Sequence, residues 1–583
     1  MSGMTSSDLS RRSFLAAAAG AAALTTVGWT PAHALSSDDP RVTLPTPPSF
    51  PDGIPLFQQG YENWVQEIVF DQVWTCTPAD AKDVVRLANW AHANGYRLRP
   101  RGTMHGWSPL TLVPGQDVEK VVLVDTLTRL NHVAVDAAAE PGRATVTAGA
   151  GAMLAAVLTA LQDHGLGWAN SPAIGELSIA GILAIDAHGA TLPADGETVL
   201  PGASFGSVSN LITRLTAVVW DDGRGEYVLR EFTRAEDAIR PLLTHLGRTF
   251  VTEVTLQAGP NYRLRCESST DIPWWELFAP AGSPGRTFES FVARSGRVEA
   301  IWFPFTDTPY LKVWTPTPTK PPQSREVTGP YNYPYSDSIP KPLTDLLGQI
   351  VSGVGSATPL FGQTQLATFQ AGLTATGGHD LWGWSKDVLF YLRATTLRMT
   401  AGGGVVLTER SNIARVINEF VTWHHARQQE LQAQGRYPIN GPFEVRLCGL
   451  DDQSEVTVET SGPPTISALR PRPDHPEWDT AIWMNVVGVP GTPGMSAYFR
   501  EMERFMRANY SGNYATFRPE WAKGWAFTDD AAFEDAETID HVIPDTYRAG
   551  VPDGDDWDAA RAEYNAHDPH RIFSNPLLDR LLP

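Results

Sequence analysis

The residues whose types and spacing best fit a chemical task lie in one short segment. Residues 99–108 read Arg-Pro-Arg-Gly-Thr-Met-His-Gly-Trp-Ser. Gly102 and Gly106 lack a Cβ, so the backbone can approach a ligand closely and its successive N–H groups can cradle a pyrophosphate. Arg101 can add positive charge to such a site, and His105 lies inside the loop. Composition alone favours a simpler interpretation, a surface turn with an unrelated histidine.

Charged residues in the C-terminal half form a second set. Glu444 and Arg446 are two positions apart on a predicted strand, so their side chains point to the same face of the sheet. Lys523 ends the segment Arg-Pro-Glu-Trp-Ala-Lys at residues 518–523. Charged groups in unusual environments gather at functional sites, while a buried structural Glu–Arg pair is the alternative interpretation.

Two segments resemble familiar catalytic signatures, but neither has all the residues that its signature requires. Residues 202–206, Gly-Ala-Ser-Phe-Gly, fit the nucleophile elbow of α/β-hydrolases, in which Ser204 needs a buried strand directly before it. Pro201 precedes the motif instead, and proline interrupts a central strand. Residues 149–151, Gly-Ala-Gly, lack the third glycine of a dinucleotide fingerprint because Leu154 stands in its place.

No pattern predicts a metal site or a phosphate loop. His424 and His425 have no neighbouring ligand at a spacing that suits zinc, so we expect this pair on a solvated helix face. The glycines at residues 402–404 lack the Lys-Ser or Lys-Thr of a phosphate loop, and we expect them to form a turn.

The bulk composition is that of a large, acidic globular protein. A chain of 583 residues is too long for one hydrophobic core. Its net charge of −20 argues against nucleic acid or an anionic membrane surface as the main partner. Three cysteines cannot make a disulfide framework, and the 19 tryptophans can line a pocket for a flat apolar ligand as well as pack cores.

The N-terminus has the features of an export signal. Arg11 and Arg12 precede an alanine-rich apolar run that ends at Ala-His-Ala, residues 32–34, and is too short to favour a membrane-spanning helix. Paired arginines in this setting indicate a twin-arginine signal, and an ordinary secretory signal is the alternative. We therefore expect residues 1–34 to be removed and the protein to be secreted.

Composition and periodicity divide the rest of the chain into four parts. A proline-rich linker is expected at residues 35–56. Residues 57–258 alternate short strands and helices without the long parallel runs of a doubly wound sheet, and predict a first α+β domain. In it, the segment that ends at Asp80 is expected to open a helix with Val84, Leu87, Ala88 and Ala91 facing inward, and Gly95 is expected to end it. Residues 144–147 are expected to form a strand, followed by a helix with Leu154, Val157, Leu158 and Leu161 facing inward. A second domain is expected at residues 259–515, and residues 516–583 are expected to return to the first domain and the active site.

The loop at residues 99–108 resembles the flavin loop of the vanillyl-alcohol oxidase flavoprotein superfamily. Later segments resemble further elements of that domain in the same order: residues 147–151, residues 177–181 with His188 and Gly189, residues 205–209, and residues 250–255. The resemblance implies an α+β fold, with a vanillyl-alcohol oxidase-type (PCMH) FAD-binding domain and an α+β substrate-binding cap domain over the flavin.

The same resemblance implies how FAD is bound. In family members with a histidine at the position of His105, this histidine bonds covalently to the 8α-methyl group of the flavin. The FAD-binding residues implied are Arg101, Gly102, Thr103, Met104, His105, Gly106, Trp107, Gly149, Ser178, Gly181, His188, Gly189 and Val251. No cysteine lies in residues 168–178, where some relatives place a second flavin bond, so we expect a single point of attachment.

The second half resembles the alditol oxidases and, more extensively, the type II (covalent-flavin) cholesterol oxidases. Besides the Glu-x-Arg and Lys523 motifs, the similar segments are residues 271–280, 298–306, 383–387 and 482–485. The resemblance to the cholesterol oxidase group covers nearly the whole mature chain. It implies oxidation of a sterol 3-hydroxyl to a ketone, reduction of O2 to H2O2, and migration of the 5,6 double bond to the 4,5 position.

This resemblance also implies a catalytic set around the reacting carbon. Its members are Glu299, Glu444, Arg446, Asn485 and Lys523. Flavin accepts the hydride, and Arg446 and Lys523 would stabilise negative charge on the substrate oxygen. A carboxylate with a raised pKa would serve as the base, and the sequence does not choose between Glu299 and Glu444. No adjacent short motif supports Glu299, for which a strand residue facing solvent is the alternative interpretation.

The aromatic residues of the second half fit a cavity for a rigid ring system. The tryptophans that suggest such a cavity are Trp274, Trp275, Trp302, Trp382 and Trp384, although core packing explains them equally well. An alditol or other polyol oxidase is the first alternative, but residues 301–305 are mostly apolar and do not obviously supply its hydrogen bonds. A secreted serine hydrolase that uses Ser204 is the alternative of another class.

The expected partners follow from these interpretations. They are a sterol and O2, with transient contact to a membrane surface to extract the sterol, no stable membrane insertion and no nucleic acid. No metal is expected. Neither the preferred sterol nor the oligomeric state can be predicted from the sequence.

Overall fold

The computed structural model describes residues 44–137, 142–331, 340–393 and 396–583. The predicted signal at residues 1–34 lies outside the described residues. The part of the predicted linker that is described packs on the body of the protein: the carbonyl oxygens of Pro45 and Pro48 each accept a hydrogen bond of 2.9 Å from a tryptophan indole N–H.

The first domain contains two sheets. Its strands are β1 (Leu56–Glu62), β2 (Val69–Cys76), β3 (Arg97–Arg101), β4 (Val121–Asp125), β5 (Val133–Asp136), β6 (Ala144–Gly149), β7 (Leu166–Gly167), β8 (Ile212–Asp221), β9 (Glu226–Thr233) and β10 (Phe250–Pro260). One sheet has the order β1-β2-β4-β3, with β2, β4 and β3 parallel. The other has the order β5-β6-β10-β8-β9 and is antiparallel, with β7 paired to β10.

Helices of the first domain pack on these sheets. They are α1 (Ala81–Asn94), α2 (Leu154–Asp163), α3 (Ile179–Ala184) and α4 (Arg240–Leu243). Helix α1 forms as the sequence predicts, because the Asp80 side chain accepts hydrogen bonds from the first free N–H groups and Gly95, at φ 69°, ends the helix. The predicted apolar face of α1 is buried.

The second domain is built on one nine-stranded sheet. Its strands are β11 (Arg263–Ser269), β12 (Arg297–Trp302), β13 (Tyr310–Pro316), β14 (Arg325–Glu326), β15 (Asp380–Trp384), β16 (Thr400–Thr408), β17 (Phe443–Gly449), β18 (Thr480–Gly488) and β19 (Ala515–Pro519). Their order is β14-β15-β11-β13-β12-β17-β18-β16-β19, antiparallel except for the pair β14 and β15.

Helices cover this large sheet and lead the chain back to the first domain. They are α5 (Trp274–Leu277), α6 (Phe288–Ser295), α7 (Lys341–Val351), α8 (Thr358–Thr376), α9 (Ser385–Leu389), α10 (Ile413–Ala433), α11 (Met495–Asn509), α12 (Ile543–Arg548), α13 (Trp557–His567) and α14 (Pro576–Leu581). After β19, Trp521, Trp525 and Trp557 join the apolar core of the first domain.

The α+β fold class is confirmed, but two local predictions are wrong. The glycines at residues 402–404 form part of β16 rather than a turn, because the neighbouring strands approach closely: a Cβ on Gly403 would lie 2.3 Å from Asn485 Oδ1. His424 is buried rather than solvated, and its Nδ1 lies 2.5 Å from the hydroxyl of Tyr498, since α10 presents this face to the core.

The described residues contain no helix long and apolar enough to cross a membrane. They also contain no cluster of three or more side chains that could hold a metal ion.

Candidate active site

A cavity of about 470 Å³ lies where the two domains meet. One part of it is lined by residues 102–108 and by residues from 177 to 188, which belong to the first domain. The other part is lined by β12, β13 and β17 and by helices α7 and α8 of the second domain. The segment that follows β19, including Lys523, closes the cavity between them.

Most residues predicted to bind FAD line this cavity. They are Gly102, Thr103, Met104, His105, Gly106, Trp107, Ser178, Gly181, His188 and Val251. The loop after β3 comes very close to the start of α3: a Cβ on Gly102 would lie 2.3 Å from Ser178 Oγ. Met104 takes the left-handed conformation, at φ 56°, and its carbonyl accepts a 2.8 Å hydrogen bond from the backbone N–H of Trp64.

Three residues of the predicted FAD set do not line the cavity. The Nε of Arg101 instead lies 3.2 Å from Met104 Sδ. Gly149 and Gly189 are needed for packing, because a Cβ there would lie 2.5 Å from the Leu130 carbonyl oxygen and 2.2 Å from Asn170 Oδ1, respectively. These glycines allow segments of the first domain to pack closely together.

The imidazole of His105 is held as a neutral group. Burial, assisted by the positive charges of Lys523 and Arg398, lowers the pKa of His105 to about 3. Its ring lies 4.7 Å from the ring of Trp64. Its Nε2 is buried and has no hydrogen-bond partner among the residues that the structure describes. A buried polar atom without a partner is costly, and it fits a site that a bound group completes.

The loop geometry fits a dinucleotide cofactor such as FAD. The glycines of the loop at residues 102–106 carry no side chain that would block the backbone, and His105, whose Nε2 is buried without a partner among the described residues, lines the same cavity. The isoalloxazine ring is large and flat, and small residues such as Gly106, Ser178, Ala180 and Gly181 are among those that line this part of the cavity. The residues present therefore fit the cofactor that the sequence predicts.

Glu299 lies at the centre of a buried charged cluster. Strand β12 pairs with β17, which places Glu299 opposite Arg446, and the carboxylate lies 3.1 Å from Arg446 Nε. It also forms an ion pair with Lys312 and accepts a 2.6 Å hydrogen bond from the Tyr391 hydroxyl. Burial alone would raise the pKa of Glu299, but Lys312 and Arg446 outweigh it and hold the pKa at about 2. The expectation of a raised pKa for Glu299 is therefore wrong.

Arg446 joins this cluster to Glu444. Its guanidinium donates a 2.5 Å hydrogen bond to Glu444 Oε2, and both side chains line the cavity. Burial would lower the pKa of Arg446, but Glu299 and Glu444 raise it, so the guanidinium stays charged. Among the described residues, Glu444 has one hydrogen-bond partner, Arg446, and its side chain is 22% exposed, whereas that of Glu299 is 1% exposed.

A second buried carboxylate, that of Glu520, also lines the cavity. Its Oε2 accepts a 2.8 Å hydrogen bond from the Asn485 amide, and its Oε1 lies 3.8 Å from His188 Nε2. Burial would raise the pKa of Glu520, but His188 and Lys523 lower it to about 2. Asn485 is fully buried, and its amide is hydrogen-bonded to Glu520, which lines the cavity.

Lys523 is fixed by its backbone and by an aromatic ring. The Ser108 hydroxyl donates to the carbonyl oxygens of Trp521 and Lys523, at 2.5 and 2.8 Å, which ties this segment to the loop that carries His105. The ammonium lies 3.7 Å from the centre of the Trp107 ring. Burial lowers the pKa of Lys523, although the charges of Glu520 and Glu444 oppose the shift.

Three members of the cluster are absent from the predicted catalytic set. Glu520 could have been predicted from the sequence, because it belongs to the segment at residues 518–523 that carries Lys523. Lys312 faces Glu299 through the register of β12 and β13, and Tyr391 reaches it from a distant loop. Neither position carries a local signal in the sequence.

The rest of the cavity lining is largely apolar. The apolar side chains there are Ile301, Phe303, Leu343, Leu347, Phe361, Phe369, Leu392 and Val487. None of the five tryptophans predicted to line a cavity lines this one, although Trp274 and Trp302 line a second, smaller pocket of about 280 Å³. Trp302 points to the face of β12 opposite to Ile301 and stacks on Trp274 with 5.2 Å between the rings, and Trp275 is 57% exposed. Trp382 and Trp384 stack on the guanidinium of Arg263.

The hydrolase motif has no catalytic setting. Ser204 is 2% exposed, lies in a loop that no strand precedes directly, and is outside the cavity lining. Its hydroxyl accepts a 3.2 Å hydrogen bond from the Asn210 amide. The nucleophile-elbow interpretation of this segment is therefore wrong.

The fold and the cavity define an FAD-binding protein in which a substrate-binding domain covers the cofactor cradle. Residues 74–200 match the family model described as FAD binding domain, and residues 263–583 match the model described as cholesterol oxidase, substrate-binding. Since the second match alone spans more than half of the chain, this protein belongs to the cholesterol oxidase substrate-binding family.

Solved structures agree with this assignment. Cholesterol oxidase from Brevibacterium sterolicum, both as such and as a histidine-to-alanine variant, is 57% identical, with a TM-score of 0.91 over 93% of this chain and 100% of that chain. A solvent-stable cholesterol oxidase is 52% identical, with a TM-score of 0.91 over 92% of this chain and 100% of that chain.

Curated relatives match only part of the chain. L-galactono-1,4-lactone dehydrogenases 1 and 2, both mitochondrial, from Oryza sativa subsp. japonica are 26% identical over 226 residues, which is 37% of this chain. The match spans about a third of the length of these relatives, 32%.

Proposed function

We propose that this protein is an FAD-dependent alcohol oxidase that converts the 3-hydroxyl of cholesterol or a related sterol to the 3-ketone and passes the electrons to O2, giving H2O2. The observation that carries the proposal is the position of the buried charged cluster. Arg446, Glu444 and Lys523 line the same cavity as the FAD cradle and the apolar side chains of the second domain. The similarity to cholesterol oxidases over nearly the whole chain supports the sterol as substrate.

Bound FAD supplies the hydride acceptor for the alcohol carbon. The loop at residues 102–107, together with Ser178, Gly181 and Val251, would hold it. We infer that His105 also carries the flavin covalently. A neutral imidazole has a free lone pair, and the low pKa of His105 together with its buried, unpartnered Nε2 supports this role.

Arg446 and Lys523 act on the oxygen of the substrate. Arg446 stays protonated, and its position is fixed on both sides by Glu299 and Glu444. A fixed cation in a dry site stabilises an alkoxide-like oxygen without reorganising during the reaction. Lys523, held over Trp107, supplies a second donor whose lowered pKa lets it share a proton more readily than an exposed lysine does.

Glu444 is the carboxylate best placed to take a proton. Glu299 is occupied by three partners and Glu520 by two, and the pKa of each of these two groups is held near 2, so both are weak bases. Glu444 has Arg446 as its one hydrogen-bond partner among the described residues and is the most exposed of the three carboxylates that line the cavity. The same carboxylate can carry a proton between two carbons and so move the double bond from the 5,6 to the 4,5 position.

Product analysis of a Glu444→Gln variant tests this assignment. Cholesterol treated with the wild-type protein is expected to give cholest-4-en-3-one on chromatography. The variant is expected to lose about 10²–10⁴-fold in turnover, the usual contribution of a positioned proton carrier, and to release more of the unshifted 5-en-3-one. Glu326→Gln, at an exposed position of β14, is the matched control and should behave as wild type. Normal products from Glu444→Gln would contradict the role of Glu444.

We also propose that the protein is exported by the twin-arginine route. Arg11 and Arg12 and the alanine-rich run after them support this, and a small-x-small site follows at residues 32–34. Replacing both arginines by lysine is expected to leave the FAD-loaded precursor inside the cell, which fractionation would detect. An ordinary secretory signal would still export that variant.

A further inference from the structure

The second pocket lies between helices α8 and α10 and the turn that joins β12 to β13. Its volume of about 280 Å³ is slightly below the range of about 300–1,000 Å³ that is typical of ligand sites. Among the described residues, none lines both this pocket and the active-site cavity. The second pocket therefore has room for one small ring, and it is separate from the site of the proposed oxidation.

Polar side chains of α10 form one wall of the second pocket. His425, Gln428, Gln429 and Gln432 are spaced i, i+3, i+4 and i+7, so they share one face of the helix. Gln428 is 8% exposed, and its Nε2 is buried without a hydrogen-bond partner among the described residues. A buried N–H without an acceptor is costly, and the last torsion of a glutamine is soft enough to turn the amide toward a ligand. This wall therefore suits a ligand that accepts hydrogen bonds.

Aromatic rings form another part of the lining. Trp274 is partly exposed, and its ring stacks on that of Trp302 with 5.2 Å between the ring centres. The imidazole of His425 lies 4.6 Å from the ring of Trp274. Burial lowers the pKa of His425, although the charge of Asp307 opposes the shift, so this imidazole is uncharged at neutral pH. Rings of this kind bind a ligand that has a flat apolar face.

The charges of the lining narrow the choice of ligand. Asp307 is acidic, and the described residues that line the pocket include no Lys or Arg, so an anion is disfavoured. A quaternary ammonium suits aromatic rings, but it cannot accept a hydrogen bond from Gln428. A neutral sugar ring meets both needs. Its hydroxyl groups accept from amide N–H groups and donate to amide and carboxylate oxygens, and its C–H face packs on an indole ring.

We propose that the second pocket binds a neutral pyranose of the β-gluco type, either as a free glycoside or as the terminal residue of a glucan. All substituents of this ring are equatorial, so both of its faces carry only C–H bonds. One face packs on Trp274, and the hydroxyl groups bond to the amides of Gln428 and Gln432 and to the carboxylate of Asp307. The site takes no part in the sterol chemistry, so it stands independently of the function proposed above.

Saturation-transfer NMR with methyl β-D-glucopyranoside tests the site in the full FAD-loaded protein. The wild type is expected to bind with a Kd of about 1–10 mM, as suits a small ligand with few polar contacts. Gln428→Leu and Trp274→Leu are each expected to weaken binding at least about tenfold, through loss of a hydrogen bond or of the aromatic surface. Gln349→Leu, at an exposed position of α7, and Trp275→Leu, beside the pocket but outside its lining, are the matched controls and should bind as wild type.

Thermal unfolding separates binding from a structural role of Gln428. Gln428→Leu removes a buried N–H that has no partner among the described residues, so it is expected to melt at the wild-type temperature or above it. Cholesterol turnover in detergent should stay at the wild-type rate, because Gln428 does not line the active-site cavity. A melting temperature well below that of the wild type would show that Gln428 serves the core and would contradict its role in binding.

Four further outcomes decide the proposal. It is wrong if the wild type shows no binding at about 100 mM glycoside, tenfold above the weakest expected Kd. It is also wrong if Gln428→Leu binds as well as Gln349→Leu, since the sugar then binds elsewhere. Binding of choline in place of the glycoside, lost in Trp274→Leu, would overturn it in favour of a cation site. Open-chain glucitol has no ring face, so binding as tight as that of the glycoside would contradict the packing on Trp274.

Cellotetraose distinguishes the two sources of the same ring. A Kd at least about tenfold below that of methyl β-D-glucopyranoside would support the terminal residue of a glucan, because neighbouring sugar units then add contacts outside the pocket. Equal Kd values would support a free glycoside. Loss of cellotetraose binding in Gln428→Leu is expected in both cases, and its retention would contradict the site.

Discussion

At the scale of single residues, the site depends on how its buried charges are paired. The carboxylate of Glu299 would be strongly destabilised by burial if it stood alone, and Lys312, Arg446 and Tyr391 together stabilise its ionised form. Sequence reasoning could place Glu299 in the catalytic set, but the expectation of a raised pKa failed because Lys312 and Tyr391 come from other elements. A pKa depends on the partners that the fold supplies.

Lys312→Met tests this pairing. Removing one partner of a buried ion pair leaves an uncompensated charge, so the variant is expected to lose about 3–5 kcal/mol in the free energy of unfolding. Glu299→Gln combined with Lys312→Met is expected to recover part of this loss, since neither charge then remains buried alone. Urea unfolding of the two single variants and the double variant measures the coupling, and simple additivity would contradict the paired account.

His105→Ala tests the covalent attachment. Wild-type protein precipitated with acid is expected to keep its yellow colour in the pellet, because the flavin stays bonded to the chain. The variant is expected to release the flavin to the supernatant, although the native variant is expected still to bind FAD noncovalently through the remaining loop contacts. His164→Ala, at a surface histidine on the C-terminal side of α2, is the control. Flavin lost from denatured wild type would show that the assignment of His105 is wrong.

At the scale of elements, the sequence predicted the features that depend on residues close together in the chain, such as helix caps and buried helix faces. The caps and apolar face of α1, the start of β6 and the buried face of α2 were all readable from spacing and from Asp80 and Gly95. The glycines of β16 and the buried His424 were not, because their setting is decided by neighbouring strands and helices that lie far away in the sequence. The tryptophans of the second domain were misplaced for the same reason.

Gly403→Ala tests why β16 contains glycine. Gly403 has φ 153° and faces Asn485, so a methyl group would displace the amide that hydrogen-bonds Glu520. The variant is expected to lose about 1–3 kcal/mol in stability, as for overpacked sites, and to turn over more slowly. Gly348→Ala in α7, where a Cβ meets nothing within 4 Å, is the control and is expected to be neutral or slightly stabilising. Equal behaviour of the two variants in thermal unfolding and turnover would contradict this account.

At the scale of the whole molecule, the active site is assembled from segments that are distant in the chain. His105 comes from the first domain, Glu299 and Arg446 from adjacent strands of the second, and Lys523 from the segment that leads back to the first domain. Residue spacing alone could not bring these positions together. The resemblance to a known family did so. Four of the five catalytic residues that it implies line the cavity, and the fifth, Asn485, is buried and hydrogen-bonded to Glu520.

The central claim is that the cavity oxidises a sterol with O2, and peroxide release tests it most directly. Purified protein is given cholesterol in detergent, and a parallel sample is given a simple alditol. The apolar lining predicts H2O2 with cholesterol and none above background with the alditol. Peroxide with the alditol alone, from protein that is visibly yellow, would keep the flavin and contradict the sterol account.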